Sequence, residues 1–170
     1  MPLIMVAPYR KLIKGPTEVI GRVFRLQTLN STRGAIGIYE FELYDSKGRN
    51  LCRTSGLIPT VKASANAGDM VTYPPERTID GLYAGDWTRT SYVNTAADGS
   101  IYLEYTFPAD VNPTNWRIMP EGTWIPAPTN GGVKLQMLRD GKWVDVTGTP
   151  TDNNPWAGSQ WKNFAIPAKV

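Results

Sequence analysis

Apolar and polar positions alternate with a period of two through several short stretches. That spacing puts one side of a strand in a core and the other toward solvent. Residues 19–29 (VIGRVFRLQTL) set Phe24 and Leu26 against Val23 and Arg25. Residues 36–44 (IGIYEFELY) place Tyr39, Phe41 and Leu43 on one face and Glu40 and Glu42 on the other. Residues 101–107 (IYLEYTF) gather Ile101, Leu103, Tyr105 and Phe107, with Tyr102, Glu104 and Thr106 opposite. Shorter runs at 116–119, 133–138 and 143–146 continue the pattern, and 161–166 supplies a last strand. Asp140-Gly141 joins two of these runs, and Asp-Gly supports the positive φ angles of a tight type I′ hairpin. Asp45 to Gly48 and Ala97 to Ser100 read as further turns. The one helical candidate is the short stretch 75–79. The pattern therefore predicts an all-β fold, a β-sandwich of the jelly-roll kind with short helical turns only.

Composition sharpens this picture. Gly (16) and Pro (14) are abundant for 170 residues, which favours many short elements joined by turns. There is no histidine, so His-based triads, His metal sites and imidazole acid–base chemistry are excluded. A single cysteine, Cys52, excludes an internal disulfide and any multi-cysteine zinc or iron–sulfur site. Residues 19–170 are read as one domain and 1–18 as an N-terminal extension or arm. The Pro- and Asn-rich stretch 147–155 is read as a surface loop. Net charge is only +3, without the basic stripe that nucleic acid would require. Arg10, Lys11 and Lys14 follow the apolar start rather than precede it, the reverse of a secretory signal. That apolar run is also far shorter than the ~20 residues that span a bilayer, so neither export by a signal peptide nor membrane insertion is expected.

Asp80, Asp86, Asp98, Glu104 and Asp110 are the carboxylates that could pair for glycoside hydrolysis, but each lies beside a turn or on a polar strand face. Turn-forming hydrogen bonds account for them more simply. A Ser or Cys nucleophile would lack an imidazole base, and Cys52 reads as a small buried strand residue. Catalysis is not expected. Six Trp and eight Tyr favour binding, because such rings stack on sugars or fill interfaces. Trp116 and Trp143 fall within strand-like runs and are expected in the core. Trp156 and Trp161 flank a Gly-Ser turn at one end.

Three phrases in order then point to a family. Asp80-Gly81 is followed by Trp87, and residues 133–143 run into Asp140-Gly141 and Trp143. Upstream, residues 37–45 (GIYEFELYD) place a Glu in a strand before Gly48. Together they cover about residues 20–147 and resemble galactose-binding-like (discoidin, F5/8 type C) domains, including those of bacteriophage tail and virion proteins. The resemblance implies a non-enzymatic virion structural component, a tail, fibre or capsid-surface module. Its partners would be other virion proteins, further copies of itself and host-surface glycans. A carbohydrate-binding lectin module without a virion role is the alternative. Loops at one end would bind glycan, with Trp87, Arg89, Tyr92 and Trp124 as the candidate residues. No cofactor is required. In the family the residue at Asp80 organises its loop, sometimes with calcium, so Asp80 is either a hydrogen-bonding brace or, with Asp86, a calcium ligand.

Overall fold

Antiparallel pairing joins every neighbouring pair of strands in two sheets. The structure is a computed structural model and describes residues 19–31, 33–82, 87–122, 125–126, 132–146 and 157–167. The strands are β1 (Gly21–Thr28), β2 (Ala35–Tyr44), β3 (Thr60–Ala63), β4 (Ser91–Asn94), β5 (Tyr102–Val111), β6 (Asn115–Pro120), β7 (Val133–Arg139), β8 (Lys142–Asp145) and β9 (Lys162–Ala165). Their order is β3-β5-β1-β7-β8 in one sheet and β4-β2-β6-β9 in the other. The fold is an all-β sandwich. Its helical elements, among the described residues, are the 3-10 turns Pro75–Ile79 and Trp87–Arg89, and none is long and apolar enough to cross a membrane. The arm at 1–18 and the loop at 147–155 lie outside the described residues.

Alternation delivers the core as the sequence leads one to expect. Phe24 and Leu26 of β1, Leu103, Tyr105 and Phe107 of β5 and Leu135 of β7 point inward from the five-stranded sheet. They meet Ile36, Ile38, Phe41 and Leu43 of β2 with Trp116 and Ile118 of β6. Phe41 lies against Tyr105 with ring centroids 4.5 Å apart, and Phe24 meets Phe107 edge-on at 5.9 Å.

In β2 the single alternation of the sequence breaks. The register with β6 shifts between Ile38 and Glu40, a bulge that changes which parity faces inward. Ile36 and Ile38 before it and Phe41 and Leu43 after it all reach the core, while Tyr39 is buried outside the main cluster. Two strands the pattern did not predict, β3 and β4, have only four residues each, too few to show a period of two. Cys52 is fully buried, but in a turn after Tyr44 rather than in a strand, and burial pushes its thiol up to about 12.

The β7–β8 hairpin turns as Asp-Gly predicts, with φ of 50° at Asp140 and 74° at Gly141. No atom lies near the place a Cβ on Gly141 would occupy. Gly141→Ala therefore isolates the backbone cost of a left-handed L-residue, expected at about 1–2 kcal/mol in urea unfolding. A variant as stable as the wild type would show that the turn relaxes into another type.

Candidate functional site

The 3-10 turn Pro75–Ile79 begins with proline at its first position, where the missing N–H costs nothing. It packs against β2, β3 and β4. Thr78 ties it to the core: its hydroxyl donates to the Pro75 carbonyl at 2.7 Å and lies 3.0 Å from the Tyr105 hydroxyl. The chain leaves this turn through Asp80 and Gly81. Asp80 Oδ1 accepts the Leu82 N–H at 2.8 Å, which closes a local Asx turn. Gly81 has φ of 80°, and a Cβ there would run into the Arg53 guanidinium. The Gly81 N–H donates to Glu40 Oε1.

Glu40 is fully buried, although its alternation in β2 puts it on the polar face with Glu42. Its second oxygen, Oε2, has no hydrogen-bond partner among the described residues. Burial pushes its carboxyl up to about 8, the Asp80 and Glu42 charges add to the rise, and the Gly81 N–H opposes it. A proton on this group at neutral pH spares the interior a carboxylate charge with no cation to pair it. Asp80 thus acts in this structure as a hydrogen-bonding turn residue, and its turn is anchored to β2 by a buried glutamate. As for calcium, this turn brings together two carboxylates, against the six to eight oxygens that calcium takes. No group of three or more His, Cys, Asp or Glu that could hold a metal occurs among the described residues, and Asp86 lies outside them.

The glycan candidates divide. Tyr92 is half-buried on β4, on the side of the sheet opposite the core residue Val93. Its ring meets Tyr73 edge-on at 4.8 Å, and burial, with the Glu121 charge adding, pushes its phenol up to about 12. Arg89 is exposed and closes the 3-10 turn that leads into β4. Trp87 opens that same turn by its backbone, and its side chain lies outside the described part, as does Trp124 entirely. Arg89 and Tyr92 thus lie on one short segment, of which β4 packs against the 3-10 turn Pro75–Ile79 that leads into Asp80.

Two arginine clusters were not singled out from sequence. On the outer face of the five-stranded sheet, strand register places Lys62, Glu104, Arg25, Gln136 and Asp145 in one row across β3, β5, β1, β7 and β8. Arg25 Nε donates to Gln136 Oε1 at 2.7 Å, and Gln136 Nε2 donates to Asp145 Oδ1 at 2.7 Å. Lys134 pairs with the other oxygen of Asp145 at 2.8 Å. The Arg25 guanidinium lies 5.0 Å from the Tyr102 ring centroid and 4.3 Å from that of Trp143. Trp143 is accordingly not a core residue; it is half-buried on this outer face. On the outer face of the other sheet, Arg117 lies between Tyr44 (5.1 Å) and Trp161 (3.8 Å) and forms an ion pair with the buried carboxylate of Glu42. Tyr44 donates its hydroxyl to that same carboxylate at 2.6 Å. Trp161 is thus engaged with β6 rather than only closing an end of the sandwich.

No protein-family model, no curated protein and no solved structure matches this chain.

Proposed function

We propose that the protein is a non-enzymatic structural module of a bacteriophage virion, a tail, fibre or capsid-surface β-sandwich that assembles with other virion proteins and touches host glycans. The virion part rests on the ordered resemblance of the Glu-bearing strand, the Asp80-Gly81 to Trp87 phrase and the Asp140-Gly141 hairpin. The glycan part is carried by one observation. The Asp80 turn is anchored to a buried glutamate, and just beyond it the chain presents an exposed Arg89 and a half-buried Tyr92. A firm base limits the ordering cost of binding, and an amphipathic ring and a guanidinium on one segment suit the mixed polar and apolar surface of a sugar.

Glycan arrays on the purified protein test this reading, with Arg89→Ala and Tyr92→Ala as paired variants. Weak wild-type binding that falls about tenfold in either variant, with the melting temperature retained, is the expected result. Binding to no sugar at millimolar concentration would remove the glycan role. A map of the assembled particle in which the protein has no place would remove the virion role and leave the free lectin.

A further inference from the structure

We propose a second binding site, on the outer face of the five-stranded sheet, for the carboxylate of an acidic sugar, with Arg25 as its anchor and Trp143 and Tyr102 as its walls. The two arginine clusters of the sandwich look alike but differ in one decisive way. Arg117 gives its Nε–H to the buried carboxylate of Glu42, so its charge is already matched within the protein. Arg25 gives its Nε–H to the neutral amide of Gln136. Glu104 and Asp145 act on it only through their fields, and Asp145 is itself held by Gln136 and Lys134. Among the described residues the Nη donors of Arg25 have no hydrogen-bond acceptor.

Geometry then selects the ligand. The Tyr102 and Trp143 rings lie 5.0 and 4.3 Å from the guanidinium carbon and Gln136 takes the Nε–H, so the Nη edge is the side left to a ligand. Two parallel N–H groups in one plane match the two oxygens of a carboxylate. The rings are only half-buried, so each offers apolar surface to a pyranose whose carboxylate is on Arg25. Along the same row Glu104 and Asp145 supply acceptors, and neighbouring Lys134 a donor, for sugar hydroxyls, while the buried Gln136 holds Arg25 in place. The chain of bonds from Arg25 through Gln136 to Asp145 and Lys134 fixes these groups before any ligand arrives, which reduces the ordering cost. This site lies on the opposite sheet from Arg89 and Tyr92 and does not depend on them.

Affinity electrophoresis against immobilised acidic polymers tests the site, with polygalacturonate, alginate and polysialate as probes. Methyl-esterified polygalacturonate serves as the uncharged twin of the first. The wild type should be retarded by at least one acidic polymer and not by the ester. Arg25→Lys keeps the charge but loses the fork, and should weaken retardation on the order of tenfold. Trp143→Ala should do the same. Thermal melts establish that both variants fold, and Tyr102→Phe, with its ring kept, should bind as the wild type does. Retardation by none of the acidic polymers would overturn the proposal, as would equal retardation by the ester. Dextran sulfate provides the last arm: retardation by it that equals the best sugar acid would reduce the site to general anion attraction and overturn it too.

Discussion

Replacing Glu40 with glutamine is expected to flatten a pH dependence of stability that the wild type shows between about pH 4.5 and 8. The carboxyl of Glu40 is raised from 4.5 to about 8, first by burial and then by the charges of Asp80 and Glu42. In the unfolded chain it ionises near its ordinary value. Between the two values the folded state holds a proton that the unfolded state has lost, so stability falls as pH rises. The contribution is fully present below pH 4.5 and is lost as pH passes through about 8. The slope approaches about 1.4 kcal/mol per pH unit where the difference is a whole proton. Above that window the group is charged in both states and the slope vanishes. Asp45, Asp69 and Asp98 behave oppositely. Hydrogen bonds from Arg49, Thr72 and Ser100 hold them below the usual carboxylate range, so what they contribute is lost only as pH falls below about 4. Wild-type stability should therefore peak near pH 4–5.

Glutamine retains an oxygen for the Gly81 N–H and cannot ionise. Urea midpoints at pH 5, 6, 7 and 8 make the comparison direct. The wild type should weaken steadily across the series while the Glu40→Gln protein changes little, so their difference should shift in favour of glutamine as pH rises. A wild type whose stability is level or rises from pH 5 to 8 would show that Glu40 is ionised in the folded protein, with the Asp80 turn held in some other way.

Glu40 also marks the limit of what a local pattern carries. The period of two in residues 36–44 assigns Glu40 and Glu42 to a polar face opposite Phe41 and Leu43, but the structure buries both of them. What that face meets depends on the 3-10 turn Pro75–Ile79 and the Asp80 turn, which return across it from some forty residues away. No local pattern carries that contact. The sandwich itself was legible because Phe24, Leu26, Leu103, Tyr105 and Phe107 face inward by simple alternation, with Asp140-Gly141 marking one hairpin. Arg25 was likewise legible as outward-facing. Its row with Glu104, Gln136 and Asp145 was not, because cross-strand neighbours follow from the order β3-β5-β1-β7-β8 and not from any spacing along the chain. Trp143 shows the converse. Its size and strand-like neighbours suggested the core, yet β8 is the edge strand, and Val144 is the residue that turns toward the core cluster.

Trp116 is the tryptophan that does reach the core, and truncating it should have the largest effect of any single substitution in the sandwich. Its side chain is completely buried in β6. One face stacks on Phe164 of β9 with centroids 4.1 Å apart and planes 18° from parallel, and Phe41 of β2 lies 6.0 Å away. The ring therefore joins three strands of the four-stranded sheet to one another. Trp116→Ala removes that joint and leaves a cavity, at a cost of about 3–5 kcal/mol. Against a total of roughly 5–15 kcal/mol for a domain of this kind, the variant should melt far below the wild type and lose β9 first. Trp116→Phe separates the two parts of the effect. The indole Nε1–H has no hydrogen-bond partner among the described residues, and a buried donor left unpaired costs about 1–3 kcal/mol. Phenylalanine discards that unpaired donor while keeping a ring against Phe164, so its loss should be well below that of alanine. Denaturant melts of the two variants, with hydrogen exchange at the β9 amides, read both effects. An alanine variant within about 1 kcal/mol of the wild type would mean that the stack on Phe164 does not hold β9 to the sheet, because a filled core site of this size cannot be emptied so cheaply.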